Sequence, residues 1–156
     1  MQDQIGQING TAMTTVWAVV NAVNLLQAAG FLSRILTGSR VTNHYLGMVI
    51  IALAVPAAGA LVALRHVGAG WRQWIGPAVF LAFVAFEVVV DYAWPVEFRS
   101  PPRSSILVPY LLLFFGAILL MGVPMFHLNR RLWLINAVTT TSLLGSMGLA
   151  MAKGVG

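Results

Sequence analysis

Five long apolar runs separated by short polar breaks constrain the fold of this chain more than any other feature. They cover about residues 11–36, 43–64, 71–94, 105–126 and 132–152. Each run has roughly the 20 residues that an α-helix needs to cross ~30 Å of hydrocarbon. Strands are disfavoured, because the runs are long and continuous and do not alternate polar with apolar residues. The sequence therefore predicts an all-α fold, a bundle of five transmembrane helices forming a single domain over residues 1–156.

The breaks between the runs have the composition of connecting loops. Glycine or arginine occurs in the breaks at 37–40, 65–70 and 129–131, and the longest break, 95–103, holds three prolines. Glycine and proline mark turns, and proline ends a helix because it has no backbone N–H to donate. We therefore expect short loops between helices, with a stiffer connection before the fourth run.

The first run is the least uniform, because polar side chains recur along it. Thr14, Trp17, Asn21, Asn24 and Gln27 follow the three-to-four-residue spacing of one helical face. Three interpretations stay open: the stripe packs inside the bundle, it lines a cavity, or the run is an amphipathic helix lying on the membrane surface. In the last case only four helices would span the membrane.

The composition excludes several classes of protein. Only 8% of the residues are charged, whereas soluble domains carry roughly 25%. The chain has no cysteine, so disulfides, thiol catalysis and cysteine metal sites are excluded. The nine basic residues lie mostly at the ends of the apolar runs, where they favour lipid headgroups rather than nucleic acid. We expect the lipid bilayer as a partner, no nucleic acid and no cofactor or metal.

Glu87 is the residue that most suggests a function. It lies inside the third apolar run with Asp91 four residues later, and these are two of only four acidic residues in the chain. An acidic side chain within a membrane is costly, so it is normally paired, protonated or facing a polar cavity. Residues four apart share one helix face, and two close carboxylates in a low dielectric cannot both ionise cheaply.

Matching the depths of polar residues along the five runs predicts a polar pocket around Glu87. Its predicted members are Glu87, Asp91, Asn21, Asn24, Gln27, Tyr110, Ser142 and Ser146. Four arginines are predicted to ring its mouth: Arg34, Arg40, Arg99 and Arg103. A structural role competes with this one, in which Asp91 pairs with an arginine and Glu87 bonds to a neighbouring amide or serine.

Three classes of function follow from this pocket. The first is a non-enzymatic membrane protein that binds or moves a small solute or ion near Glu87. The second is a structural or accessory membrane subunit without pocket chemistry. The third is a membrane-embedded enzyme that uses Glu87 and Asp91 as acid and base on a lipid-like substrate. The sequence leans away from an enzyme, because it contains no recognisable catalytic motif.

Charge and small residues give expectations about membrane context. Basic residues are nearly balanced between the two sides, and the absence of Lys and Arg before the first run favours an outside N-terminus and an inside C-terminus. The chain resembles small prokaryotic membrane proteins in its general character, which favours a prokaryotic cytoplasmic membrane. Small residues at helical spacing allow close helix packing or a homo-oligomer seam. They are Ala52, Pro56, Gly59 and Ala63 in the second run, and Ser142, Ser146, Gly148 and Ala152 in the fifth.

Overall fold

The structure is a computed structural model that describes residues 2–38, 41–96, 98 and 102–155, with the backbone alone at positions 41 and 43. The described residues form helices and connecting loops. Their helices are α1 (Gln2–Thr37), α2 (Val41–Ala52), α3 (Ala54–His66), α4 (Trp71–Glu87), a π-helix (Val88–Ala93), α5 (Ser104–Leu128) and α6 (Arg130–Ala152). The predicted all-α bundle is confirmed.

Five helical spans in the described residues are long and apolar enough to cross a membrane. They are Gln2–Thr37, His44–His66, Trp71–Ala93, Ser104–Leu128 and Arg130–Ala152. The second span combines α2 and α3, and the third combines α4 with the π-helix. The first helix begins nine residues earlier than the apolar run that predicted it. At 36 residues it is about 54 Å long, well beyond the ~30 Å thickness of the hydrocarbon.

Pro56 explains why the second span is divided into α2 and α3. It has no N–H to donate to the carbonyl of Ala52, so the regular bonding is interrupted one turn earlier. Leu53 keeps helical dihedral angles, and its N–H donates to the carbonyls of both Val49 and Ile50 at 3.2 and 3.1 Å. The two helices therefore continue one another as a single irregular span.

The helix ends are closed by local hydrogen bonds. After α3, Gly68 adopts a φ of +69° and donates to Arg65 O, while Ala69 donates to Leu64 O at 2.9 Å. This pair of bonds is the Schellman motif, which satisfies terminal carbonyls and favours glycine because of the positive φ. At the start of α6, Asn129 Oδ1 accepts from the N–H groups of Arg131 and Leu132 at 2.9 and 3.4 Å. Asn129 is therefore the N-cap of α6.

The first helix is the centre of the bundle. It packs against α2, α3, α5 and α6, while α4 packs against α3 and α5. Its buried residues include Val16, Val20, Val23 and Asn24. A helix in contact with four others is part of the core, which disfavours the interpretation of α1 as a surface-lying helix.

Two glycines allow the closest helix contacts. A Cβ at Gly76 of α4 would lie 2.7 Å from the backbone C of Leu120 and N of Met121 in α5. A Cβ at Gly122 of α5 would lie 2.6 Å from Nδ2 of Asn136 in α6. By contrast, Gly59 and the other glycines of the predicted small-residue faces have open space at this position. The close crossings therefore use glycines that the spacing argument did not single out.

An aromatic cluster fills the space between α4 and α5. The Phe83 ring lies 5.3 Å from Tyr110 and 5.2 Å from Phe114, measured between ring centroids. Phe98, from the loop before α5, is fully buried and lies 5.4 Å from Tyr110. Its carbonyl accepts from Arg103 N–H at 2.9 Å. Phe98 is thus part of the core of the bundle.

Candidate functional site

Glu87 lies where α4 changes into the π-helix. It is the last residue of α4 and is only 4% exposed. It is the seventeenth residue of the 23-residue span Trp71–Ala93, so it lies within the apolar span but nearer its C-terminal end. The sequence predicted this off-centre depth, and the structure adds that the carboxyl side chain faces the interior of the bundle.

The π-helix that follows Glu87 widens the backbone at this depth. Its closing bonds include Trp94 N–H to Val89 O at 2.8 Å, which spans five residues instead of four. π-helical turns are rare and occur frequently at functional sites, because they displace side chains and backbone groups from their regular positions. The irregular turn therefore coincides with the buried acidic residue of this span.

Gly47 of α2 lies beside the Glu87 carboxyl group, and its lack of a side chain leaves room for the Tyr92 hydroxyl. A Cβ at Gly47 would lie 3.8 Å from Glu87 Oε1 and 3.1 Å from Tyr92 Oη. Tyr92 belongs to the π-helix, and its hydroxyl donates to the carbonyl of His44 over a long 3.5 Å. The rings of Tyr92 and His44 lie 5.4 Å apart. We call Glu87, Tyr92, Gly47 and His44 the acidic cluster.

Sequence reasoning did not assign Tyr92 or Gly47 to the site. Tyr92 is five residues after Glu87, a spacing that places two side chains on different faces of a regular α-helix. The π-helix makes the two side chains meet at Gly47, and hydropathy gives no signal for such a turn. Asp91, which was predicted to share the site, is half-buried, in contrast to the buried Glu87.

Asn21 and Asn24 are bonded to α6 through a separate buried network. Asn24 Nδ2 donates to the hydroxyls of Thr139 and Thr140 at 3.1 and 2.9 Å. The Thr139 hydroxyl lies 2.7 Å from Asn21 Oδ1, to which it donates. Thr139 and Thr140 are the tenth and eleventh of the 23 residues of α6, so this network lies at the middle of that span.

The hydrogen bonds within this network fix the orientation of each amide. Asn21 Nδ2 donates to Trp17 O at 2.7 Å, so its Oδ1 faces the Thr139 hydroxyl, which also lies 3.0 Å from a second acceptor, Asn136 O. Thr139 then accepts from Asn24, which turns Asn24 Oδ1 away from the two threonines. This oxygen is buried and has no hydrogen-bond donor among the described residues. Interhelical bonds of this kind stabilise packing within membranes.

The remaining predicted pocket residues have different surroundings. Gln27 is half-buried on α1, and Tyr110 belongs to the aromatic cluster. The Ser142 hydroxyl is exposed and donates to Val138 O, while Ser146 is buried and donates to Leu143 O. Both serines therefore bond within α6, as hydroxyls in membrane helices commonly do.

The predicted arginine mouth is only partly described. Arg34 is half-buried, and its guanidinium carbon lies 5.7 Å from the centroid of the Phe31 ring. Arg103 is exposed at the start of α5. Arg40 and Arg99 lie outside the described residues. Within the described part of the chain, no group of three or more His, Asp or Glu side chains has the arrangement of a metal site.

An open groove of about 700 Å³ lies elsewhere, between α1 and α3, and none of the predicted pocket residues lines it. The structure therefore separates three polar features: the acidic cluster, the α1–α6 network and this groove. No protein-family model, curated protein or solved structure matches the chain, so its function is argued from these features.

Proposed function

We propose that this chain is an integral membrane protein that binds or moves a proton or another small cation, with Glu87 as the central group. The observation that carries the proposal is the burial of Glu87, 4% exposed, within a helix long and apolar enough to cross a membrane. Placing an ionised acidic side chain at membrane depth costs about 2.5–3.5 kcal/mol on insertion scales. A proton or cation bound at the carboxylate removes the negative charge and with it most of this cost.

The local geometry supports an ion-binding role. The π-helix begins at the residue after Glu87, and Gly47 lies beside the carboxylate. Tyr92 places a hydroxyl, which can both donate and accept a hydrogen bond, on the same side of Gly47. A larger residue at position 47 would fill this space. The described contacts enclose Glu87, so we propose that ion access involves movement of the α2 and π-helical segments.

The hydrogen bonds between α1 and α6 remove two predicted residues from the proposed ion site. Asn21 and Asn24 are bonded to Thr139 and Thr140 on α6, so we assign them to helix packing and not to the ion pathway. The same network is the observation that favours the second candidate, a structural or accessory membrane subunit. In that case Glu87 would contribute to packing alone, and the purified protein would carry no flux.

Flux through proteoliposomes tests the proposal. The protein is reconstituted with a pH-sensitive dye inside the vesicles, and a potassium diffusion potential drives cation movement. We expect the dye to report proton entry with the native chain and none with Glu87→Gln. This substitution nearly keeps the size of the side chain but removes its negative charge. Asp91→Asn, at the half-buried neighbour, serves as the matched control and should retain flux.

Two results would count against the proposal. Undiminished flux with Glu87→Gln would exclude ion carriage by this carboxyl group. Absence of proton, sodium and potassium flux in the native chain, with the protein folded and inserted, would favour the structural subunit instead. Circular dichroism and thermal unfolding of each variant establish whether a loss of flux reflects a loss of fold.

A further inference from the structure

Four exposed arginines lie on two turns at one end of the bundle. Arg65 lies near the end of α3 and Arg72 near the start of α4, on either side of the turn at 67–70. Arg130 and Arg131 are the first two residues of α6, directly after the end of α5. We call these four side chains, with the two turns that carry them, the basic end.

The packing of α4 on α5 brings the two turns to the same place. A Cβ at Gly76 would meet the backbone of Met121, whereas Phe83, further along α4, contacts Phe114, earlier in α5. The two helices are therefore antiparallel, and the start of α4 lies beside the end of α5. Gly76 is five residues from the start of α4, and Met121 is seven from the end of α5. At 1.5 Å per residue, both turns lie within about 11 Å of this crossing along the helix axes.

The protein supplies no paired counter-charge to the basic end. Glu87 and Asp91 lie in the C-terminal half of the third span, towards the opposite end, and Glu97 follows that span in the sequence. Asp3, at the start of α1, forms no ion pair with these arginines in the described part of the chain. Clustered charges of one sign create a potential that attracts counter-ions. The positive potential of this end is therefore directed to an anion outside the chain.

Aromatic rings hold two of the guanidinium groups at the level where the spans end. The guanidinium carbon of Arg65 lies 4.7 Å from the centroid of the Trp74 ring, and that of Arg130 lies 5.5 Å from the centroid of Phe126. Tryptophan is enriched at the boundary between the hydrocarbon and the headgroups. A guanidinium stacked on a ring keeps the N–H groups at its edge for an oxygen ligand. The stacking therefore presents hydrogen-bond donors at the depth of lipid phosphates.

Exposed apolar side chains continue from the arginines towards the middle of the membrane. Val62, 67% exposed, lies three residues before Arg65, and Leu134, 56% exposed, lies four residues after Arg130. Residues at these spacings share one helix face. A ligand with a phosphate at the arginine and an acyl chain below it contacts both parts of the face, whereas a soluble anion contacts only the charge.

We propose that the basic end binds an anionic phospholipid, with the lipid phosphate at the guanidinium groups and the acyl chains along α3 and α6. Arginine binds phosphate through two parallel N–H···O bonds. Each basic residue near a membrane surface strengthens association with anionic lipid by about fivefold. Phosphatidylcholine carries the same phosphate, but its choline cation cancels the charge, so the basic end selects phosphatidylglycerol over phosphatidylcholine.

Native mass spectrometry of the full chain, titrated with the two lipids carrying identical acyl chains, tests this selection. We expect phosphatidylglycerol to bind at least about tenfold more tightly than phosphatidylcholine. This comparison uses the native chain and does not depend on the folding of any variant. Equal affinity for the two lipids would overturn the proposal.

Substitutions locate the site. Arg130→Gln combined with Arg131→Gln should weaken phosphatidylglycerol binding at least about tenfold, and Arg65→Gln at the other turn should weaken it about fivefold. Arg103→Gln combined with Lys153→Gln is the matched control, because it removes two exposed positive charges from the opposite end of the bundle. The control should bind phosphatidylglycerol as the native chain does. An equal loss in the control would overturn the assignment to the basic end.

Inorganic phosphate distinguishes a lipid from a soluble anion. At matched ionic strength, an excess of inorganic phosphate should leave phosphatidylglycerol bound to the native chain, because the acyl contacts are retained. Complete displacement would show a site for free phosphate and would overturn the lipid as occupant. The proposal is independent of ion carriage by Glu87, so Glu87→Gln should bind phosphatidylglycerol as the native chain does, whatever happens to its flux.

Discussion

The crossing of α4 and α5 at Gly76 gives the sharpest prediction about stability. In Gly76→Ala the new Cβ would lie 2.7 Å from backbone atoms of Leu120 and Met121, which have no rotamer to change. Ordinary contact begins near 3.4 Å, so the two helices must separate locally by about 0.7 Å. A gap of this size forfeits a quarter to a half of the dispersion energy of the neighbouring contacts.

We expect Gly76→Ala to lower the free energy of unfolding by about 1–3 kcal/mol, as overpacking in a well-packed core does. Gly148→Ala is the control, because its Cβ meets no atom within 4 Å. There the gain in helix propensity should raise stability by about 0.5–1 kcal/mol. Denaturation in mixed micelles, followed by circular dichroism, measures both changes. Equal stability of the two alanine variants would refute the close crossing at Gly76.

Three further predictions concern the buried hydrogen bonds, the cap of α6 and the orientation of the chain in the membrane. Thr139→Val should lower the free energy of unfolding in micelles by about 1–3 kcal/mol, because it removes the donor to buried Asn21 Oδ1 and leaves Asn24 Nδ2 bonded to Thr140 alone. Thr141→Val should change the same free energy by less than about 0.5 kcal/mol, and equal effects of the two variants would contradict the network. Asn129→Ala should lower the free energy of unfolding by about 1 kcal/mol, because it removes the N-cap of α6. Asn129→Asp, which can also cap the helix, should retain most of the stability in the same assay. Reporter fusions at each end should place the N-terminus outside and the C-terminus inside, and a cytoplasmic N-terminal signal would reverse the proposed topology.

The spans could be predicted because hydrophobic length is a local property of the chain. The start of α1 at Gln2 could not be predicted, because residues 2–10 are mostly polar and give no hydrophobic signal. The helix in that segment continues from the apolar span. The depth of Glu87 also followed from its position in the run. The neighbours of its side chain could not be predicted in this way, because depth along a span does not fix the rotation of the helix about its axis.

Rotation decides which polar residues meet. Asn24 was grouped with Glu87 by depth, whereas its described bonds are to Thr139 and Thr140 on α6. Tyr92 approaches Gly47 beside Glu87 only because a π-helix interrupts the regular turn. These relations depend on packing between helices distant in sequence, which one sequence read without its fold does not determine.

Magnetic resonance of the Glu87 carboxyl group tests the central claim most directly. The chain has two glutamates, Glu87 and Glu97, so carboxyl-labelled glutamate with Glu97→Gln leaves a single signal. In lipid bilayers we predict that this signal moves between protonated and ionised positions as the pH is varied, or shifts on addition of a small cation. A signal that stays unchanged across the whole range in which the protein remains folded would contradict ion binding at Glu87.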